Sequence, residues 1–184
     1  MRTAGATDRS NGIDGRSAPV PPPPDPYPVI IVGSGPGGLQ LSYSLRRLGV
    51  DHAILSADSG PGGMFRKWPL FQILLSWTKP YGPDGPGSRR FERTDWNSLL
   101  ADEPELRSLQ AQHMDGSSYY PARAEIEASL ADFTQRAGIQ VRYNCKWEST
   151  ARIDDGGEDR FALTTTNGVY RCRTAVFAVG VAEP

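Results

Sequence analysis

Residues 29–38 read V-I-I-V-G-S-G-P-G-G, and the rest of the chain can be placed around this stretch. Its four leading apolar residues predict a short buried strand. Glycines follow in the spacing G-x-G-x-x-G, and leucines at positions 39, 41, 45 and 48 continue at roughly helical spacing. A strand, a tight turn and a helix are the context in which this glycine spacing binds a dinucleotide. The alternative is a glycine-rich strand-to-helix turn that holds no ligand.

Each glycine of the turn has a distinct physical role. Gly33 allows the tight turn out of the strand, Gly35 lets a pyrophosphate approach the backbone, and Gly38 lets the helix pack against the strand. The free N–H groups and the positive end of the helix dipole then face the phosphates. Pro36 stands near the helix start, where a missing N–H costs nothing. We therefore predict that this turn binds the phosphates of a dinucleotide.

Length and composition exclude several classes of protein. The chain has 184 residues, which suits one ordinary domain. Its net charge of -1 excludes an electrostatic nucleic-acid binder. No apolar run approaches the ~18 residues of a membrane span, and the N-terminus has no hydrophobic stretch of the signal-peptide type. We expect a cytoplasmic protein that binds neither nucleic acid nor membrane.

The sequence contains no recognisable metal site or acid–base pair. Cys145 and Cys172 are too far apart in the chain for a C-x-x-C redox pair or a zinc motif. We interpret both as small apolar side chains in or near strands. His113 has no partner visible in the sequence, so packing is favoured over catalysis for this residue.

The chain divides into a tail and one folded domain. Residues 1–26 are rich in Gly, Ser and Pro and predict a disordered tail that ends in a stiff proline spacer. Within residues 27–184, apolar residues at helical spacing predict an amphipathic helix over 122–137 and a shorter one over 104–112. Strands are predicted at 52–57, 139–143, 147–153, 161–166, 169–172 and 174–179. The Asn-Gly pair at 167–168 favours a hairpin, so the fold class is α/β, a Rossmann-like parallel sheet with a small antiparallel β-meander.

The end of the second strand departs from the usual dinucleotide motif. An Asp or Glu about 20 residues beyond the glycines ordinarily binds the ribose hydroxyls. Ser56 stands at that position, and a serine offers one oxygen and no charge. Asp58 lies two residues further on and is the alternative if the register is shifted.

A second glycine pair follows this strand in the sequence G-P-G-G-M-F, residues 60–65. It is typical of flavoproteins, in which the turn lets the backbone run close to the flavin end of FAD. The alternative is a plain surface loop. Residues 66–93 are irregular and combine Trp, Phe and Tyr side chains with lysines and arginines. Two interpretations stay open for them: a cover over the flavin or a substrate, or a segment held on the surface by its own aromatic side chains.

From Tyr27 onward the chain resembles the first FAD-binding segment of the two-dinucleotide flavoprotein oxidoreductases. The motifs that carry the resemblance are G-S-G-P-G-G at 33–38, G-P-G-G at 60–63 and A-V-G at 178–180, the last in place of the family's A-T-G. Within that superfamily the chain looks most like the flavin monooxygenases, which include Baeyer–Villiger enzymes and amine N-hydroxylases. D-W-N-S-L-L at 95–100 and Y-Y-P-A-R at 119–123 are also similar to a family of FAD-dependent oxidoreductase domains. L-L-S-W-T-K-P at 74–80 resembles bacterial enzymes that oxidise amino-acid nitrogen in natural-product pathways.

The resemblance implies a role for each matching residue. The first glycine turn would hold the FAD pyrophosphate, the second would approach the flavin, Ser56 stands where the family has its ribose-binding acid, and Trp147 stands where the backbone meets the adenine. The last turn would close over the FAD. The residues implied in cofactor binding are Gly33, Ser34, Gly35, Pro36, Gly37, Gly38, Ser56, Gly62, Gly63, Met64, Phe65, Trp147, Ala178 and Gly180.

In the family the chain continues from the A-T-G turn into an NADPH domain and then completes the FAD domain. Only one G-x-G-x-x-G occurs here, so the resemblance implies a fold that is incomplete at its C-terminus. We expect the FAD-binding portion of an NAD(P)H-dependent monooxygenase of a small molecule, with NADPH bound by a domain that a second polypeptide could supply. The alternatives are a truncated, non-catalytic nucleotide-binding fragment, an NAD-linked dehydrogenase and a disulfide reductase. The missing acid counts against the dehydrogenase, and the absence of a close cysteine pair counts against the reductase.

Overall fold

The computed structural model describes residues 26–66, 71–81, 84–154 and 156–180. The predicted disordered tail therefore lies outside the described residues, apart from Pro26. The described part forms six strands and three α-helices, with short 3-10 turns between them. The strands are β1 (Tyr27–Val32), β2 (His52–Leu55), β3 (Val141–Arg142), β4 (Trp147–Arg152), β5 (Phe161–Thr165) and β6 (Gly168–Phe177). The α-helices are α1 (Pro36–Arg47), α2 (Leu109–Gln112) and α3 (Arg123–Arg136), and the 3-10 turns are Gly63–Arg66, Phe91–Thr94 and Pro104–Leu106.

All six strands belong to one sheet in the order β3-β2-β1-β6-β5-β4. β1 pairs in parallel with both β2 and β6, and β2 pairs in parallel with β3. β5 lies between β4 and β6 and pairs antiparallel with both. The predicted α/β class, a parallel sheet with an antiparallel meander, is confirmed.

The structure corrects the prediction of two separate strands at 169–172 and 174–179. β6 is one continuous strand of ten residues. Its first half pairs with β5, from Gly168 opposite Thr165, and its second half pairs with β1, as far as Phe177 opposite Val32. A single strand therefore joins the meander to the parallel sheet, because each of its halves finds a different partner.

The predicted helix over 104–112 is also corrected. A 3-10 turn, Pro104–Leu106, and the short α2 replace it. Ser108 lies between them in a left-handed conformation, with φ of 54°. Few residues other than glycine adopt that conformation within a helix, so the backbone is interrupted there.

Both long helices begin and end within one residue of the predicted positions. α1 has Gly35 at its N-cap and Pro36 at its first position, and Gly49 follows its end with a positive φ of 67°. α3 begins one residue later than predicted. A side-chain oxygen of Glu125 accepts a hydrogen bond of 2.7 Å from the backbone N–H of Ala122, which satisfies one free donor at that helix start. No helix in the described ranges combines the length and apolar character needed to cross a membrane.

The two faces of the sheet bury separate clusters of apolar side chains. On one face, α1 and α3 cover alternate residues of β1 and β2, and Ile31, Leu39, Ile54 and Phe133 are at most 2% exposed there. On the other face, the curled meander brings Leu163, Tyr170 and Cys172 against Ile30 and Leu55. Successive side chains of a strand point to opposite faces of the sheet, so neighbouring residues of β1 and β2 belong to different clusters, and both faces are buried. The double burial holds the ends of β1, β2 and β6 rigidly beside one another.

Residues 71–81 are held on the surface of the domain by backbone hydrogen bonds. The N–H of Leu74 donates to the carbonyl of Pro121 (3.0 Å), and the N–H of Thr78 donates to the carbonyl of Tyr119 (2.9 Å). Thr78 also forms an isolated β-bridge with Asp95. The buried Asp95 carboxylate, which is 7% exposed, accepts hydrogen bonds from the Thr78 hydroxyl (2.8 Å) and the backbone N–H of Ser98 (3.1 Å). The D-W-N-S motif therefore fixes this segment.

Candidate nucleotide-binding site

A cavity of about 420 Å³ opens at the carboxyl ends of β1, β2 and β6. β1 lies at the point where the strand order reverses, because β2 extends the sheet on one side of it and β6 on the other. Open α/β sheets bind ligands in the crevice outside the strand ends at such a point. The volume lies within the ~300–1,000 Å³ range of small-molecule sites. This cavity is therefore the candidate site.

The N-terminus of α1 faces this cavity with unused hydrogen-bond donors. Leu39 makes the first intrahelical bond, from its N–H to the carbonyl of Gly35 at 3.0 Å. The backbone N–H groups of Gly37 and Gly38 find no acceptor within the described ranges. Unpaired N–H groups and the helix dipole together make a binding site for an anion such as a phosphate.

Glycine occupies positions of the first turn for two different physical reasons. Gly33 has a φ of 111°, and a Cβ there would lie well inside contact distance of the Ala178 carbonyl. A Cβ on Gly38 would overlap the carbonyl of Gly33. Gly35 is different, because an added Cβ would meet no heavy atom within 4 Å. The fold requires glycine at 33 and 38, whereas glycine at 35 leaves open a space that a Cβ would fill.

Ser34 joins three segments of the cavity. Its hydroxyl lies 2.8 Å from that of Ser56, and both side chains are buried, at 1% and 3% exposure. Its carbonyl accepts a hydrogen bond of 3.0 Å from the N–H of Gly62. A Cβ on Gly63 would lie 3.2 Å from the Cα of Gly35, so the two glycine turns lie against each other. The first turn, the end of β2 and the second turn thus form one rigid surface.

Most of the residues that the sequence implicated line this cavity. Those on its wall are Gly33, Ser34, Gly35, Pro36, Gly37, Ser56, Gly63, Met64, Trp147, Ala178 and Gly180. Three others do not line it: Gly38 is buried beneath the turn, Gly62 supports Ser34, and Phe65 packs on the helix-side core. Contact of any of these residues with a cofactor stays a prediction.

Two further features close the cavity from the side of the meander. The Trp147 ring contacts Phe177 edge to face, with 5.1 Å between centroids, and its Nε1–H donates to the Thr150 hydroxyl at 2.8 Å. A Cβ on Gly180 would lie 3.5 Å from the Met64 sulfur. The last turn and the second glycine turn therefore approach each other across the opening.

Sequence reasoning missed several wall residues, among them Cys145, Lys146 and Val179. Lys146 and Asp58 bring opposite charges to the wall. Their neighbours in the sequence could have indicated two of them, because Lys146 directly precedes Trp147 and Val179 lies between two implicated residues. None of residues 71–81 lines this cavity in the described part of the chain, and a role for that segment in covering the flavin stays a prediction.

Both cysteines are buried and free. Burial raises the pKa of the Cys172 thiol to about 11, and the negative charge of Asp159 acts in the same direction. A thiol of high pKa is a poor nucleophile, because the thiolate is the reactive species. The Cys172 thiol is therefore a poor nucleophile, and the burial of both cysteines agrees with their interpretation as small apolar side chains.

His113 has a partner that the sequence did not reveal. Its Nε2 lies 3.0 Å from a carboxylate oxygen of Asp132 on α3, and it is remote from the wall of the cavity. Within the described ranges, no group of three or more His, Cys, Asp or Glu side chains is placed to hold a metal ion.

Most of the chain matches a known protein family. Residues 30–183 match the family model described as pyridine nucleotide-disulphide oxidoreductase. The chain is 33% identical over 156 residues to FAD-dependent oxidoreductase domain-containing protein 2 of Danio rerio, and 33% identical over 159 residues to the Mus musculus protein of that name. Each match covers 84% of this chain but only 22% and 23% of the relative. The chain thus spans less than a quarter of the length of these curated relatives.

Solved structures share the fold over most of the chain. A flavin monooxygenase from Stenotrophomonas maltophilia matches with a TM-score of 0.62 and 24% identity, covering 87% of this chain and 41% of that one. A cyclohexanone monooxygenase matches with a TM-score of 0.62 at 20% identity, over 84% of this chain and 27% of that one. The bacillithiol disulfide reductase of Staphylococcus aureus matches with a TM-score of 0.59 at 19% identity, over 84% and 38%. The chain has the fold of these flavin monooxygenases over most of its length and belongs to the pyridine nucleotide-disulphide oxidoreductase family.

Proposed function

We propose that this chain is the FAD-binding portion of an NAD(P)H-dependent flavin monooxygenase that oxygenates a small molecule. The observation that carries the proposal is the open space at Gly35. An added Cβ would meet no heavy atom within 4 Å there, and the N–H group of Gly37 on the same cavity wall has no acceptor among the described residues. A glycine that the fold does not need is explained by a ligand whose phosphates approach the backbone. The relatives that share a third of its residues are named as FAD-dependent.

The residues present fit such a cofactor along the length of the cavity. The pyrophosphate would accept a hydrogen bond from the N–H group of Gly37, which lines the cavity. The adenosine half would lie toward β2 and Trp147, and the flavin half toward Gly63 and Met64. FAD, when bound, supplies the redox and oxygen chemistry, and the protein binds, orients and shields it. The apolar side chains that line the wall would help to keep water from the bound group.

The remaining machinery of a monooxygenase would come from outside this chain. We propose that NADPH binds to a further domain, either elsewhere in a longer protein or in a second polypeptide. Two observations support this. The curated relatives are more than four times the length of the matched region, and two large apolar side chains of the segment 71–81 are exposed, Phe71 at 90% and Leu75 at 86%. Contiguous exposed apolar surface often marks a protein interface.

One stretch of the sequence bears on the class of substrate. The stretch L-L-S-W-T-K-P at 74–80 resembles enzymes that oxidise amino-acid nitrogen. This resemblance supports an amino-acid nitrogen in a natural-product pathway as the atom that is oxygenated. We place the enzyme in the cytoplasm, in line with two free cysteines.

The main alternative is a nucleotide-binding fragment without catalysis. A disulfide reductase is a further alternative, since the family name includes that activity. The free cysteines count against it, because both are buried and one has a raised pKa.

An absorption spectrum of the purified chain tests the proposal. FAD is added, the excess is removed, and the flavin bands near ~370 and ~450 nm are recorded with the protein. Retained bands support FAD binding. Bleaching by added NADPH would support a complete reductase function, and retained bands without bleaching would support a portion that needs its NADPH domain. A folded chain that retains no flavin would contradict the proposal.

A further inference from the structure

We infer that Asp58, and not Ser56, binds the ribose 2′-hydroxyl of the adenosine half of the dinucleotide. This inference rests on the proposed function and names a binding residue within the same site. It requires that the hydroxyl of Ser56 is already used, that Asp58 is available, and that its position is held by the fold.

The Ser56 hydroxyl is used within the protein. It lies 2.8 Å from the Ser34 hydroxyl and accepts a hydrogen bond of 3.3 Å from the backbone N–H of Asp58. The second bond is a Ser/Thr turn, in which a side-chain oxygen accepts from the N–H two residues on. With only 3% of its surface exposed, Ser56 acts as a structural clamp between the first glycine turn and the end of β2.

The Asp58 carboxylate is available. Asp58 lines the cavity and is half-buried. Within the described part of the chain its carboxylate accepts no hydrogen bond and makes no ion pair. The other charged side chain of the wall, Lys146, carries an ammonium group that can only donate. Asp58 is thus the one described wall residue with a charged acceptor for a ribose hydroxyl.

The fold holds the backbone of Asp58 on both sides. Its N–H is fixed by Ser56, as described above, and its carbonyl accepts a hydrogen bond of 2.9 Å from the N–H of Asn144. Asn144 adopts a left-handed conformation with φ of 54°, in which asparagine is favoured. The carboxylate that usually ends the second strand is therefore displaced by two residues, from a buried position to the rim of the cavity.

The test compares FAD with its analogue that lacks the adenosine 2′-hydroxyl. Flavin fluorescence titration measures the affinity of both for the wild-type chain and for Asp58→Ala, Asp58→Asn and Ser56→Ala. The matched control is Asp51→Ala, an exposed aspartate before the other end of β2. Circular dichroism verifies that each variant is folded, and Asp58→Asn keeps the test open if Asp58→Ala does not fold.

We expect the wild-type chain to bind FAD about tenfold to a hundredfold more tightly than the analogue, as for a hydrogen bond to a charged acceptor. Asp58→Ala should bind the two equally, Asp58→Asn should keep a smaller preference, and Asp51→Ala should keep the full one. A wild-type chain with no preference overturns the inference. So does a preference that survives in Asp58→Ala or is lost only in Ser56→Ala. A folded wild-type chain that binds neither ligand overturns the proposed function as well.

Discussion

Replacing Gly35 with valine separates a glycine that serves a ligand from the glycines that the fold requires. Gly35 caps α1 with φ of -75° and ψ of -178°, an extended conformation that valine adopts readily. A Cβ at this position meets no heavy atom within 4 Å. The folded chain can therefore accept the new side chain, which would occupy the space proposed for the pyrophosphate.

The loss of FAD affinity follows from the hydrogen bond that the valine would block. The N–H group of Gly37 lines the cavity and has no acceptor in the described part of the protein, and a hydrogen bond to a charged group contributes about 1.5–3 kcal/mol. Losing it weakens binding by about 1.5–3 kcal/mol, or about tenfold to a hundredfold. The free energy of unfolding changes much less. Removing a favourable N-cap residue costs about 1 kcal/mol, and the smaller entropy of the unfolded chain restores about 0.4–1 kcal/mol.

Flavin fluorescence titration measures the affinity, and urea unfolding measures the stability of the same samples. The matched control is Ser44→Val, an exposed position on the same helix away from the cavity. It adds the same β-branched side chain and should leave the FAD affinity unchanged. A folded Gly35→Val variant that binds FAD within about threefold of the wild-type chain, below ~1 kcal/mol, would refute the assignment of this turn to the pyrophosphate.

Three further predictions concern the support of the site. Burial raises the pKa of Cys172 from its ordinary 9.0 to about 11, so the folded chain holds that proton more tightly than the unfolded chain. The free energy of unfolding should therefore fall by about 2–3 kcal/mol between pH 9 and 11. The urea midpoint of the wild-type chain should fall with it, whereas this contribution should be absent from the midpoints of Cys172→Ala. The same pH profile for both chains would contradict the prediction. Asp95→Ala should destabilise the chain by about 2–4 kcal/mol in urea, since buried donors lose their acceptor, whereas the exposed Asp154→Ala should change stability by less than ~0.5 kcal/mol. A double-mutant cycle of Ser34→Ala and Ser56→Ala should give a coupling energy of about 1 kcal/mol, and additive single effects would show that their hydrogen bond contributes nothing.

The local order of strand, glycine turn and helix could be predicted from residues 29–48 because each signal is local. An apolar run, glycines that allow a positive φ or a close approach, and a proline at the helix start act within a few residues of one another. The same holds for the apolar spacing of α3 and for the Asn-Gly hairpin between β5 and β6. Most of the wall residues were expected from the resemblance to flavoproteins, and they meet because the carboxyl ends of parallel strands lie at one edge of the sheet.

What depends on distant pairing could not be read from the residues. β6 is one strand because its two halves pair with β5 and β1, a fact about partners far away in the sequence. The α2 region breaks at Ser108, against its helical pattern.

The role of individual residues in the site was likewise decided by tertiary structure. The residues alone show that a serine stands in place of the usual acid at position 56 and that an aspartate follows at 58. Only the fold buries the Ser56 hydroxyl against Ser34 and leaves the Asp58 carboxylate on the cavity wall with no partner among the described residues. Only the fold, too, shows that Gly33 meets the Ala178 carbonyl while Gly35 faces open space. The physical reason is the same in each case: hydrogen bonds and steric contacts between segments far apart in the chain exist only once the sheet has brought those segments together.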